Sequence, residues 1–103
     1  MYVQKSNRHY QLLDVIGFAD IIPDSGLVSK VISALADELE MKTIGRVRIS
    51  EDKNGSYYMQ LIRESHMFVY VSNNGLIIFS ILSCRYFDQR KTTAYVKSGL
   101  KIR

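Results

Sequence analysis

The sequence predicts an α+β fold, a two-layer sandwich in which a mostly antiparallel sheet carries two helices on one face. Three observations lead to it. Patterned segments run strand, helix, three or four strands, helix. Asn54-Gly55 and Asn74-Gly75 mark hairpins among the later strands. Two stretches place apolar residues at helical spacing. A chain of 103 residues, 47% of them hydrophobic, has material for one core, so residues 1–103 are expected to form a single domain.

Arg8 to Ile16 mixes alternation with a mostly apolar run and reads as a first strand, ended by the break from Gly17 to Pro23. Asp24 or Ser25 can cap a helix in which Leu27, Val28, Val31, Ile32, Leu35 and Leu39 form one apolar stripe. Thr43 to Ser50 resumes alternation, with Val47 and Ile49 on one face, Arg46 and Arg48 on the other, and Ile44 out of phase. A third strand is expected from Ser56 to about Arg63, a fourth from His66 to Val71, and a fifth from Leu76 to Leu82. Asp88 can cap a second helix through Leu100, with Tyr95, Val96 and Leu100 inward and Arg90, Lys91 and Lys97 outward.

The exception to this pattern is Glu64-Ser65-His66, a polar triplet between two apolar strands. Polar groups in a packed layer cost free energy unless hydrogen-bonded, so the triplet needs a structural or chemical reason. The hairpin centred on Asn74-Gly75 makes the strands on either side antiparallel neighbours, which returns Cys84 toward Ser65.

Several functions are excluded. The net charge of +4 draws on Arg85, Arg90, Lys91, Lys97, Lys101 and Arg103, which read as solvated helix and tail positions, so no nucleic-acid partner is expected. No apolar run reaches the ~18 residues of a membrane span and the N-terminus lacks a secretory apolar region. A cytoplasmic protein without a membrane partner is expected. The single Cys84 excludes an internal disulfide. With two histidines, of which His9 has no second ligand at metal spacing, no metal site is expected. Neither a glycine-rich phosphate loop nor a Ser-His-Asp pattern is present.

A serine can attack the carbonyl of the peptide bond before it and convert that amide to an ester. Elimination then releases the upstream chain and leaves dehydroalanine, and hydrolysis yields a pyruvoyl group at the new N-terminus. Such a carbonyl serves as an electron sink in decarboxylation of an amine substrate. The plainer alternatives are a strand-junction serine bonded to its own backbone for Ser65, a small buried hydrophobe for Cys84, and a core histidine for His66.

Asn7-Arg8-His9 with the apolar strand after it, the helix from Val28 to Leu39, Lys42 to Gly45, the Glu64-Ser65-His66 triplet and the later Ser83-Cys84 together resemble the bacterial-type S-adenosylmethionine decarboxylase proenzyme family over nearly the whole chain. The resemblance implies self-cleavage between Glu64 and Ser65, a pyruvoyl cofactor derived from Ser65, and Cys84 as the donor of a proton to the decarboxylated carbon. It also implies a two-layer sandwich that pairs as a homodimer, a small-molecule substrate, and a product that donates the aminopropyl group in spermidine synthesis.

Some positions depart from the family pattern. Tyr70 stands where the family has a histidine that assists processing; with an ordinary pKa near ~10 it donates a hydrogen bond but shuttles protons poorly at neutral pH. Tyr57 stands where a processing serine is expected, and Ser56 could fill that place through a bulge. Ser72-Asn73-Asn74-Gly75 lacks the carboxylate suited to a ribose diol, Arg46 to Asp52 lacks the family's adenine-facing aromatics, and Arg85 replaces the glycine after the cysteine. Two alternatives follow: decarboxylation of another amine such as ornithine or arginine, or a non-cleaving homologue that binds or regulates.

Overall fold

The structure, a computed structural model, describes residues 2–5 and 10–103, with side chains from Tyr10 onward. Six strands are present: β1 (Tyr2–Lys5), β2 (Gln11–Phe18), β3 (Thr43–Asp52), β4 (Gly55–Ile62), β5 (Ser65–Ser72) and β6 (Leu76–Ser83). Helix α1 (Ser25–Glu38) follows β2 and α2 (Gln89–Gly99) follows β6. The sheet order is β1-β2-β6-β5-β4-β3 and every neighbouring pair is antiparallel. This is the α+β sandwich expected.

Asp24 caps α1 by accepting from the Leu27 N–H at 2.8 Å, and Asp88 caps α2 through the Lys91 N–H at 3.0 Å. Both helices end in the same way. The Met41 and Glu40 N–H groups return to the Ala36 and Asp37 carbonyls, and those of Ile102 and Lys101 to Lys97 and Ser98. Glu40 (φ 55°) and Lys101 (φ 57°) therefore take the left-handed position that glycine usually fills.

The core lies between the helices and one sheet face. Val28, Ile32 and Leu35 of α1 and Val96 of α2 meet Leu13, Val15, Met67, Val69, Ile77, Phe79 and Ile81, all essentially without exposure. Each such apolar side chain contributes about 1.5–3 kcal/mol of burial free energy, so this layer dominates stability. Gln60 is one of four buried polar residues among the described ones, with Ser72, Ser83 and Thr92. Buried on β4, its Nε2 donates to the Ile44, Gly45 and Leu61 carbonyls at 3.3, 3.2 and 2.8 Å, where β3 bulges between Ile44 and Arg48.

The opposite face carries Leu12, Leu82, His66 and Leu61 in one cross-strand row and Ile16, Ile78, Tyr70 and Tyr57 in another. Among the described residues no helix covers it.

The structure alters some boundaries. The first strand starts at Gln11 and runs through the buried Gly17, while Asn7, Arg8 and His9 lie outside the described residues. β1 is additional: four residues are too short for alternation to register. Gly55 opens β4 instead of ending a turn, and the close approach of β5 requires glycine there, since a Cβ would meet the Val71 carbonyl oxygen at 2.3 Å. Gly75 (φ 93°) closes the three-residue loop between β5 and β6, as a glycine in that position should. Ser65 is the first residue of β5, so the triplet is a tight turn flowing into a strand.

Candidate functional site

Ile62 pairs with Ser65 across the two-residue turn Arg63-Glu64, and Ser65 pairs in turn with Ser83 of β6. That register sets Cys84, one residue past the strand, beside Glu64. The Cys84 N–H donates to the Glu64 carbonyl oxygen at 3.2 Å. This carbonyl belongs to the Glu64–Ser65 peptide bond. Ser65 Oγ lies 3.1 Å from His66 Nδ1, and the Ser65 backbone is extended at φ 159°. A hydroxyl, an imidazole nitrogen and a hydrogen-bonded carbonyl thus meet at one peptide bond.

These groups open onto a cleft of about 430 Å³ lined by Tyr10, Leu12, Glu64, Ser65, Leu82 and Cys84. Leu12 and Leu82 are partners on the uncovered face, and Tyr10 and Cys84 extend that row past the strand ends. Cys84 is exposed, so it is not a small buried hydrophobe. Among the described residues, Oε1 of Glu64 is buried without a hydrogen-bond partner.

The other expected site residues lie elsewhere. Tyr70 stands five residues along β5, roughly 17 Å from Ser65 at about 3.3 Å per residue. Its ring meets Tyr57 edge-to-face at 4.9 Å, and its hydroxyl points to the Asn54 carbonyl at 3.5 Å. Within one chain it does not reach Ser65. Ser56 also lies away from Ser65, at the other end of β4. The β4–β5 register is unbroken from Gly55 to Ile62, so no bulge shifts Ser56 into the place eight residues before Ser65. Ser56 pairs with Val71 on the helix-covered side, and Tyr57 occupies the open face.

At this far end polar groups satisfy one another. Asp52 accepts from the Asn54 and Gly55 N–H groups at 2.8 and 3.1 Å and from the Tyr57 hydroxyl at 2.8 Å. The Asn54 N–H, then Tyr57, hold its carboxyl below the usual 3.8; the same bond to Asp52 raises Tyr57 above 10.0. The Ser72 hydroxyl donates to Asn74 Oδ1, and Asn73 Nδ2 donates to the Lys53 carbonyl at 2.7 Å. This turn spends its polar groups on itself and offers no carboxylate for a ribose.

A family model for S-adenosylmethionine decarboxylase matches residues 9–103. The chain belongs to the S-adenosylmethionine decarboxylase family. No curated protein and no solved structure matches it. Membership supports a decarboxylase-like role toward a small molecule. Among the described residues no cluster of three or more acidic, histidine or cysteine side chains could hold a metal ion, and no helix is long and apolar enough to cross a membrane.

Tyr10, Leu12 and Leu82 were not foreseen as cleft residues. A signal for them exists: on strands that pair, residues two before a site position share its face, which carries Cys84 to Leu82 and, across the ladder, to Leu12.

Proposed function

We propose that the chain is a self-cleaving, pyruvoyl-dependent S-adenosylmethionine decarboxylase that splits at Glu64–Ser65 and makes the aminopropyl donor for spermidine synthesis. The observation that carries this is the Cys84 N–H on the Glu64 carbonyl, with Ser65 Oγ beside His66 Nδ1.

His66 Nδ1, when unprotonated, takes the Ser65 hydroxyl proton as Oγ adds to the Glu64 carbonyl carbon. The charge that develops on the carbonyl oxygen falls on the Cys84 N–H, an oxyanion donor already in place. Collapse breaks the Glu64–Ser65 C–N bond, the Ser65 nitrogen takes a proton, and an ester remains. Loss of the Ser65 α-proton then breaks the Cβ–Oγ bond, freeing the Glu64 carboxylate and leaving dehydroalanine, which water converts to the keto group with release of ammonia.

The residues present fit a pyruvoyl group at position 65: its precursor hydroxyl, its polarised upstream carbonyl and an adjoining apolar cleft coincide. Once formed, the group supplies an electron-withdrawing carbonyl for decarboxylation of an amine-bearing substrate. Tyr10, Leu12 and Leu82 enclose the substrate body, and the exposed Cys84 thiol holds the proton delivered after carbon dioxide leaves.

The partner is a second copy. The uncovered, largely apolar sheet face suits an isologous pairing, and Tyr70 acts in cleavage only from across it. Phe68→Asp on that face is expected to leave a folded monomer in sedimentation. Tyr70→Phe slows cleavage if the tyrosine takes part, and an unchanged rate removes it from the reaction.

Intact mass decides the main reading. Two fragments divided before position 65 support it, and one persistent species at 11.9 kDa overturns it. Carbon dioxide release from S-adenosylmethionine, compared with ornithine and arginine, identifies the substrate. Release from ornithine or arginine alone replaces S-adenosylmethionine with that amine.

A further inference from the structure

Cys84 sits in an irregular segment after β6, yet its N–H must stay on one carbonyl for the chemistry above. Two contacts hold the segment. The buried Ser83 hydroxyl accepts from the Arg85 N–H at 3.0 Å and donates to the Arg85 carbonyl at 2.8 Å, which closes a small turn around Cys84. Arg85 then reaches across to the end of α1, where its Nη2 donates to the Leu39 carbonyl at 2.6 Å and the Glu40 carbonyl at 3.1 Å.

Leu39 caps α1 and Glu40 follows it, so both acceptors sit at the helix C-terminus, where carbonyls lack partners inside the helix and the dipole is negative. A guanidinium there makes charge-assisted bonds, the stronger kind. The acceptor geometry is itself fixed, because Glu40 is held left-handed by the N–H bonds of Glu40 and Met41 to Asp37 and Ala36. α1 in turn is seated in the core by Val28, Ile32 and Leu35. The Cys84 backbone is therefore tied to the rigid layer through the side chain of the next residue.

We propose that Arg85 is a positioning residue: pinned to the Leu39 and Glu40 carbonyls at the end of α1, its side chain holds the Ser83–Arg85 turn so that the Cys84 N–H stays on the Glu64 carbonyl. A glycine at this position could not make the tie. This chain thus fixes by a side chain what a glycine would leave to backbone geometry alone.

The inference deepens the reading of Glu64–Ser65 as the reacting bond, but its test does not require cleavage. Amide hydrogen exchange is measured by NMR on the uncleavable Ser65→Ala protein. Adding Arg85→Ala is expected to speed exchange at Cys84 about tenfold, the equivalent of one lost net hydrogen bond, while Val69 and Phe79 stay within about twofold. Arg85→Lys, which keeps a cationic donor, is expected to recover part of the protection. Lys91→Ala is the matched control: it cuts the exposed Lys91–Glu38 ion pair (3.2 Å) between α2 and α1 and should leave Cys84 unchanged. Unchanged Cys84 exchange in Arg85→Ala, or equal acceleration in Lys91→Ala, overturns the proposal. If Cys84 responds as expected while the wild-type chain never cleaves, the positioning role stands and the decarboxylase reading fails.

Discussion

The two ends of the sheet are built from similar residue types and treat them in opposite ways. At the far end Asp52 has three donors, Tyr57 and Tyr70 pack edge-to-face, and Ser72 is bonded to Asn74. At the near end, among the described residues, the Ser65 hydroxyl meets its histidine neighbour alone, Glu64 Oε1 has no partner, and Cys84 is exposed above an apolar cleft. Buried polar groups are normally satisfied, and exceptions concentrate where a protein does chemistry. On the proposed function, the satisfied end is structural and the open end carries the reaction.

The sharpest break is Ser65→Ala. Cleavage is expected to fall to nothing in intact-mass measurements, with circular dichroism unchanged, because among the described residues the half-buried Ser65 hydroxyl bonds a neighbouring ring alone. Residual cleavage at the same bond would remove Ser65 as nucleophile.

Carboxylate deletions come next. Glu64→Ala removes a buried oxygen without a partner and is expected to raise stability by about 1 kcal/mol in urea unfolding, the scale of an unsatisfied polar group. Asp52→Ala strands two turn N–H groups and the Tyr57 hydroxyl, and should lower the midpoint without slowing cleavage. If both change stability in the same direction, the two ends do not differ as described.

The Asp52–Tyr57 bond also sets a pH profile. The Asp52 carboxyl is lowered in the fold, so its contribution is present above the unfolded value near 3.8 and lost as pH falls through the folded one. Tyr57 is raised, so its contribution is present below 10.0 and lost as pH rises through its folded value. Urea midpoints should be flat between these limits and fall on both sides. Tyr57→Phe should soften both falls without removing either, since burial also raises the Tyr58 hydroxyl and the Asn54 N–H remains as the larger cause at Asp52.

Much of the near end was legible in the sequence because it depends on counting. Two apolar strands joined by a Gly-containing loop fix antiparallel neighbours, and equal distances from the loop bring Ser65 to Ser83. The helices were legible from Asp24, Asp88 and the apolar stripes between the caps. What did not show was anything set by a side chain crossing between elements. The tie from Arg85 to Leu39 spans 46 residues, and no local pattern announces it. Likewise Gln60 reads as an ordinary polar residue until the β3 bulge it fills is seen. Whether β4 is bulged beside Ser56 could not be counted from the sequence, and its ladder with β5 is continuous.

The smallest effects test whether the contrast reaches the backbone. Glu40 closes α1 near Arg85, and Lys101 closes α2 at the far end, where the Arg103 N–H meets the Phe18 carbonyl at 2.8 Å. Both hold a left-handed conformation that costs a non-glycine residue about 1–2 kcal/mol. Glycine removes that cost but adds freedom to the unfolded chain, so each of Glu40→Gly and Lys101→Gly is expected to gain only about 0.5–1 kcal/mol. Equal gains in urea unfolding mean that the two ends share one helix-ending rule and differ only in their side chains. A gain at Lys101 with a loss at Glu40 would show that the glycine backbone no longer presents the carbonyls that Arg85 needs, which would extend the contrast from side chains to the main chain.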